Sequence, residues 1–398
     1  MSTAANKSAS DRVGTVSQFD ALVVGGGPVG AAMALGLRAR GLAVGLIDQT
    51  PPQDVANALG VDPRTVALSA ATRALLEKLH AWPDYPVSVI EQMQVWEERG
   101  TAQLEFAQSE SPDRALGYIV ELSPWRSYLW RELERVGVDV QIGRVADLTK
   151  SDRWLVDMGD RQLSAPLVIA ADGANSIVRR SLAVPMPLQS TGQSALASAA
   201  RTSLAHKRTA YQRFLGTGPL ALLPLADEHL VSVVWSAEDA YADRLAELSS
   251  FDLAAELTQA TEQRLGVVEE LLPAARFPLR QGVVRNFVPQ PGIALIGDAA
   301  RVIHPLAGQG INLGFEDVAG VLACVGGDLT WSRFARGRRA RSQLVVALMS
   351  TLNSAYGSSQ PALQWARNQA IRSINSSASL KRLLAREAMG LGPLAQAS

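Results

Sequence analysis

An α/β fold, built as two interleaved domains with a helical C-terminus, is what this chain predicts, and three observations carry the prediction. First, "FDALVVGGGPVGAAMALGLRARGLAVGLIDQ" at 19–49 reads as strand, glycine turn, helix and strand. Second, "APLVIAADG" at 165–173 and "GIALIGDAA" at 292–300 are apolar runs that stop at an Asp–Gly or Gly–Asp pair. A short apolar run halted by glycine marks a strand buried on both faces of a parallel sheet. Third, the intervening segments alternate apolar and polar residues, as in "LVSVVW" at 230–235, the pattern of half-buried strands. Parallel-type strands at the start, near 168 and near 294, with sheet of another character between them, mean that the chain leaves one domain and returns to it.

The elements follow in order. Residues 1–18 are small and polar, without the apolar centre of a signal peptide, and read as a flexible leader. A strand at 21–24, a helix at 28–40 closed by Gly41, and a strand at 42–47 ending at Asp48 make a β-α-β unit. Segment 64–80 reads as a helix, 85–107 and 207–236 as alternating strands, and 124–136 as a helix followed by strands in "VDVQIG" and "WLVDMG". From Gly310 onward the pattern is helical, broken at 326–330 and 357–360.

Bulk properties exclude several classes. The 398 residues carry 38 Lys+Arg against 38 Asp+Glu, and nucleic-acid binding needs a basic excess or stripe. The single cysteine, Cys324, excludes an intrachain disulfide and a cysteine metal cluster and reads as a small buried helix residue. No H-E-x-x-H or paired Cys/His cluster suggests a metal site. No uninterrupted apolar run approaches the ~18 residues of a membrane span; "QLVVALMSTL" from Gln343 is too short. Together with low cysteine usage, this gives a cytoplasmic expectation, with contact at a membrane surface left open.

The chemistry begins at Gly25, Gly27 and Gly30, which form G-x-G-x-x-G. The first glycine allows a tight turn, the second lets a pyrophosphate approach the backbone, and the third lets helix and strand pack closely. The helix N-terminus then presents free N–H groups and the positive end of its dipole to phosphates. Asp48, 18 residues beyond Gly30, stands where an acid binds a ribose 2′-hydroxyl. An acid there favours an unphosphorylated ribose, which fits FAD or NAD equally.

Two distant motifs separate those options. "VIAADGANSIVRR" sets Asp172-Gly173 after a strand, then Ser176 and Arg179; "ALIGDAARVIHPLAGQGINLGFEDV" sets Gly297-Asp298 after a strand, then His304-Pro305, Gly308, Gln309, Gly310 and Asn312. An acid beyond a strand's C-terminal end faces the crevice where α/β sheets bind ligands. Asp298 can accept hydrogen bonds from a polyol. The Gly308–Asn312 turn can aim N–H groups at a partly negative ring edge. A nicotinamide needs no second polyol clamp so far along the chain; a flavin, with its ribityl chain and ring, does.

These three motifs together resemble the single-component FAD-dependent aromatic hydroxylases, over most of residues 19–325. "DPRTVALSAATRALLEKLHAWP" at 62–83, "GYIVELSPWRSYLW" at 117–130 and "SLKRLLAREAMGLGPL" at 379–394 are similar to the branch that hydroxylates ubiquinone precursors. The resemblance implies a Rossmann-like FAD-binding domain (19–80, 108–183 and 286–325) interleaved with a mixed-sheet substrate domain (81–107 and 184–285), and C-terminal helices at 326–398. It implies that Gly25, Gly27 and Gly30 bind the ADP half of FAD and Asp48 its ribose. Arg64 and Arg126 would lie near the pyrophosphate, and Val145 by the adenine through its backbone. Asp172 would serve both FAD and the reductant, Asp298 would hold the ribityl chain, and Pro305, Gly308, Gln309, Gly310, Ile311 and Asn312 would line the ring. Glu316 departs from several relatives, which carry arginine.

The same resemblance implies that NAD(P)H reduces FAD and that O2 then gives a flavin hydroperoxide, which oxygenates an electron-rich ring carbon. The cofactor supplies the hard chemistry, and the protein excludes water. The reductant is expected to bind without a Rossmann site of its own, since one G-x-G-x-x-G is visible. His304 is the titratable candidate beside the ring, with an orienting role as the blander reading; His80, His206 and His229 read as surface or packing residues. The apolar alternating segment 212–235 reads chiefly as sheet core on the substrate side. Arg367, Arg372, Lys381, Arg382 and Arg386 read as a solvated helix face, with an anionic membrane surface or a partner protein as the sharper alternative. Three further readings stand beside the ubiquinone-precursor hydroxylase: a flavoprotein hydroxylase of a soluble phenol, a halogenase or epoxidase, and a non-catalytic FAD-binding subunit of a biosynthetic complex. The W-x-W-x-I-P halogenase signature is absent.

Overall fold

Four sheets and their covering helices organise the protein. The structure, a computed structural model, describes residues 16–55, 57–98, 103–108, 115–303, 309–357 and 377.

The cofactor-type sheet has five parallel strands in the order Ile293–Leu295, Leu167–Ala170, Ala21–Val24, Val44–Asp48 and Asp139–Ile142. Its members come from three separated stretches of chain; four of the runs are apolar on both faces and stable only between layers, while Asp139–Ile142 forms a partly exposed edge. The helix Pro28–Arg38 covers one face, and Gly30 to Leu37 are all buried. The alanines along it let the helices Leu122–Arg135 and Gln309–Gly326 approach closely. Trp125, fully buried, meets Phe315 at 5.8 Å between ring centroids, which ties those two helices into the core. Cys324 is buried beside them, and burial pushes its thiol up to about 11, leaving it an inert packing group.

The second large sheet runs Arg301–Val302, Ala275–Val283, Gln189–Thr202, Leu230–Glu238, Gly218–Pro224, Thr209–Leu215, Gln92–Glu97 and Gln103–Ala107, with Val268–Leu271 as an extra partner of Gln189–Thr202. It is antiparallel except where Thr209–Leu215 meets Gln92–Glu97. Thr65–Leu68, Gly117–Glu121 and Ser88–Ile90 form a small sheet, and Ser17–Gln18 joins Gln162–Ala165 in a four-stranded one.

Several sequence expectations change here. Residues 17 and 18, assigned to the leader, pair in parallel with Leu163 and Ser164. Segment 64–80 divides: Thr65–Leu68 is a strand, and the helix Ala70–Lys78 begins only after Ser69, whose side chain accepts from the Thr72 N–H. The β-branched Thr65 and Val66 suit the strand, and Ser69 is a strong N-cap. Ser88–Ile90, grouped with the substrate domain, pairs with Gly117–Glu121. Arg301–Val302, grouped with the cofactor domain, pairs with Ala275–Val283. The helices Asp239–Ala246 and Ser250–Ala260 were not anticipated; Ser249 caps the second through the Asp252 N–H.

His206 is a buried structural residue, 2% exposed. Its Nε2 lies 3.2 Å from the Leu225 carbonyl and 3.0 Å from that of Asp227, while Nδ1 accepts the Arg208 N–H at 3.0 Å. The contacts require the neutral ring with the proton on Nε2. Burial holds its pKa below the ordinary 6.5, so the unfolded chain binds the proton more tightly than the folded one. The stability contributed by neutral His206 is therefore complete above the unfolded pKa and is lost as pH falls from there through the folded value. Urea midpoints measured downward from neutral pH should fall more steeply for the natural chain than for His206→Gln. Parallel curves would refute this.

Candidate functional site

The glycine turn is held from three directions. Gly25 has φ +110°, and a Cβ there would stand 2.3 Å from the Ala171 carbonyl oxygen; a Cβ on Gly30 would stand 1.9 Å from that of Gly25. Both must be glycine for the turn to close. The Gly26 N–H donates to Asp48 Oδ2 at 2.6 Å, and its carbonyl accepts from Arg126 Nε at 3.2 Å and from Trp130 Nε1 at 2.9 Å. Arg126 also pairs with Asp48 at 3.2 Å and lies over the Trp130 ring. Asp48 and Arg126, expected at the cofactor, therefore meet each other at the rim of the turn. Trp130 was missed because a tryptophan on an amphipathic helix reads as core.

Beyond the turn the backbone is open. A Cβ on Gly27 or on Gly173 would meet nothing within 4 Å. The helix at Pro28 starts without a side-chain cap or an acid in its first turn, so its N–H groups remain available to an anion. Asp172 Oδ2 accepts the N–H groups of Ile177 and Val178, whereas the buried Oδ1 has no hydrogen-bond partner among the described residues. Burial raises the pKa of Asp172. Asp298 is exposed only in the sense that its surface faces a cavity; the protein around it pushes its carboxyl above the usual range.

That cavity, about 470 Å³, unites Gly27, Gly30, Gly173, Asp298, Gly310 and Ile311 with one face of the nine-stranded sheet. Of the other residues singled out, the side chains of Arg64 and Asn312 bond elsewhere, Val145 is expected at the adenine only through its backbone, and Glu316 has no expected role. Arg64 pairs with Asp62 at 3.2 Å and donates to Ser123 Oγ at 2.7 Å. Val145 is buried in the core. Asn312 Oδ1 accepts from the Ser69 N–H and from Thr72 Oγ1, and its Nδ2 donates to the Ala67 carbonyl, so it locks the helix Gln309–Gly326 to the start of Ala70–Lys78. Glu316 accepts from Arg338 Nη1 at 2.7 Å. His304, Pro305 and Gly308 lie outside the described residues, as does the side chain of Gln309.

Under the Asp298 turn sits a charge network that the sequence did not announce. Asp317, fully buried, accepts the Gly297 N–H at 2.9 Å, Arg301 Nη1 at 2.7 Å and Arg338 Nε at 2.6 Å. Arg301 is also buried, and its Nε and Nη2 have no hydrogen-bond partner among the described residues. Glu316 completes the set through Arg338 and, at 3.7 Å, Arg341. Glu316 thus balances the arginine-rich helix Trp331–Gly357.

A parallel sheet with a glycine turn at its centre, a distant acid facing the same cavity and an adjoining, mostly antiparallel sheet define a flavoprotein of the Rossmann type. The chain belongs to the FAD binding domain family, whose model matches residues 18–325. It is 32% identical to the 3-demethoxyubiquinol 3-hydroxylase of Escherichia coli, over 93% of this chain and 98% of that protein. It is 30% identical to the ubiquinone hydroxylase UbiL of Rhodospirillum rubrum, over 94% and 91%. Among solved structures, p-nitrophenol 4-monooxygenase from Pseudomonas putida shares the fold with a TM-score of 0.73 at 17% identity, covering 95% of this chain and all of that one. The protein is an FAD-dependent monooxygenase of the aromatic-hydroxylase class, with NAD(P)H as co-substrate.

Proposed function

We propose that this enzyme hydroxylates the aromatic ring of a polyprenylated ubiquinone precursor, with O2 as the oxygen source. The observation that carries the reading is the single cavity running from the Gly27–Gly30 turn and Asp298 to an aliphatic sheet face. The named activities of the two relatives agree with it. The residues fit the cofactor: an open Gly27, an uncapped helix start, and two acids, each with carboxylate oxygen to offer.

FAD, when bound, supplies the oxygen-transfer chemistry. The chain's residues do the rest. The N–H groups at the start of Pro28–Arg38 bind the pyrophosphate, which the helix dipole favours. Asp48, already holding Gly26, accepts from the adenosine ribose with its remaining lone pairs. Asp298 accepts from ribityl hydroxyls. Asp172 Oδ1 is the further acceptor, and Gly310 and Ile311 approach the ring. The aliphatic wall formed by residues such as Met93, Leu223 and Val234 excludes water from the ring, which suppresses wasteful peroxide release.

Two measurements test this. Purified FAD-loaded protein, given NAD(P)H, O2 and a prenylated phenol, should yield a hydroxylated ring, and a deletion strain should accumulate the unhydroxylated precursor; failure of both overturns the reading. Asp298→Ala should retain FAD roughly ten- to a hundredfold less tightly, since a hydrogen bond to a charged group contributes about 1.5–3 kcal/mol. The flavin-to-protein absorbance ratio after gel filtration reads it, and unchanged occupancy counts against the assigned role.

A tail-bearing substrate brings the enzyme to a membrane surface and to other proteins of the same biosynthesis. No helix among the described residues is long and apolar enough to cross a membrane, and the basic residues 367–386 lie outside them.

A further inference from the structure

The sheet face that looks into the cavity is aliphatic except at two side chains. Gln212 lies across from Ala221, and Ala221 across from Val234; Leu223, Met93 and Ile90 extend the same wall. Within it the Gln212 carboxamide and the Ser236 hydroxyl both line the cavity, and neither makes a hydrogen bond among the described residues. Ser236 is only 3% exposed. The neighbouring Thr65 hydroxyl differs, since it donates to Ser232 Oγ at 2.7 Å. Side chains on a packed sheet face are ordinarily apolar or hydrogen-bonded within the protein, so polar groups left facing a cavity stand out. Two such groups on one wall of one cavity point to a ligand that satisfies them.

We propose that Gln212 and Ser236 are the substrate-orienting residues of the hydroxylase, each holding an oxygen of an uncharged ring. The proposal rests on the reading given under Proposed function. One strand, Gly218–Pro224, lies between the pair, and two strand spacings with a two-residue stagger set them roughly 12 Å apart. They therefore reach oxygens on different edges of a ring rather than one shared atom. The carboxamide can donate to a methoxy or keto oxygen and accept from a hydroxyl, and the serine can do either. Among the described residues no Lys or Arg lines the cavity, so a ring carboxylate would meet no cation among them, at a high desolvation cost. The site thus selects a neutral ring carrying two oxygen substituents over an aromatic acid. By fixing the ring at two points, the pair also decides which carbon faces the oxidant.

Gln212→Leu and Ser236→Ala change little volume and leave every cofactor contact described above in place. FAD content should match the natural protein. Titration with a prenylated methoxyphenol, followed by perturbation of the flavin spectrum, should weaken roughly tenfold in each variant, about 1.4 kcal/mol. In turnover, a larger share of the NAD(P)H consumed should end as peroxide. Gln212→Asn should recover part of the coupling. Hydroxybenzoate should bind poorly throughout. The proposal is overturned if both variants bind the phenol as the natural protein does, if hydroxybenzoate binds as well as the phenol, or if the natural protein gives no perturbation. Tight, variant-sensitive binding without hydroxylation would sink the functional reading and leave this one standing.

Discussion

Asp317→Ala should destabilise the protein by about 3–5 kcal/mol, the range for removing one partner of a buried ion pair. The carboxylate is fully buried and holds Arg301, Arg338 and the Gly297 N–H at once. Its loss strands a buried guanidinium that already has two nitrogens without a hydrogen-bond partner among the described residues, and burial disfavours that charge. Arg338 keeps Glu316, so Arg301 bears most of the damage. The Gly297-Asp298 turn loses its anchor as well, so FAD retention should fall together with the urea midpoint. Asp317→Asn, which keeps an acceptor for Gly297 but no charge, should fall between. Removing both members, in Asp317→Leu with Arg301→Met, should recover part of the loss, because a matched apolar pair replaces a stranded ion. Equal midpoints for the natural chain and Asp317→Ala would show that the network is not holding the turn.

The second large effect separates two glycines of one motif. Gly30→Ala should disrupt folding of the cofactor domain, because the added methyl would stand 1.9 Å from the Gly25 carbonyl oxygen, a contact that only backbone movement can relieve. Gly27→Val should fold. Its φ of −71° suits any residue, and nothing lies within 4 Å of the new Cβ. The side chain instead fills the space where the pyrophosphate must approach, and the product should be folded and colourless. Circular dichroism and flavin absorbance on the two variants distinguish the cases. A yellow Gly27→Val protein would mean that the phosphates do not pass over this glycine.

The contrast shows how far a motif can be read. G-x-G-x-x-G with Asp48 is legible because local sequence enforces it: a turn that tight admits only glycine, and an apolar run that short is stable only within a sheet. The parallel strands near 168 and 294 were legible for the same reason. The misread elements lacked a local signal strong enough to decide. Thr65–Leu68 looked like the first turn of the helix after it, and its pairing with Gly117–Glu121 draws on residues far away. Asp239–Ala246 and Ser250–Ala260 were lost inside a segment dominated by strands.

The site divides along the same line. The chain alone determined the class of cofactor, since the glycine turn and the strand-ending acids reflect contacts each element makes by itself. Only the tertiary structure decided which residues work together. It set Arg126 and Trp130 on the Gly26 carbonyl and drew Asn312 onto Ser69 and Thr72. It also gave Glu316 its arginine partner and faced Gln212 and Ser236 into the cavity beside Asp298. Those pairings span tens to hundreds of residues, and side-chain direction on a sheet or helix carries no trace of its distant partner until the layers pack.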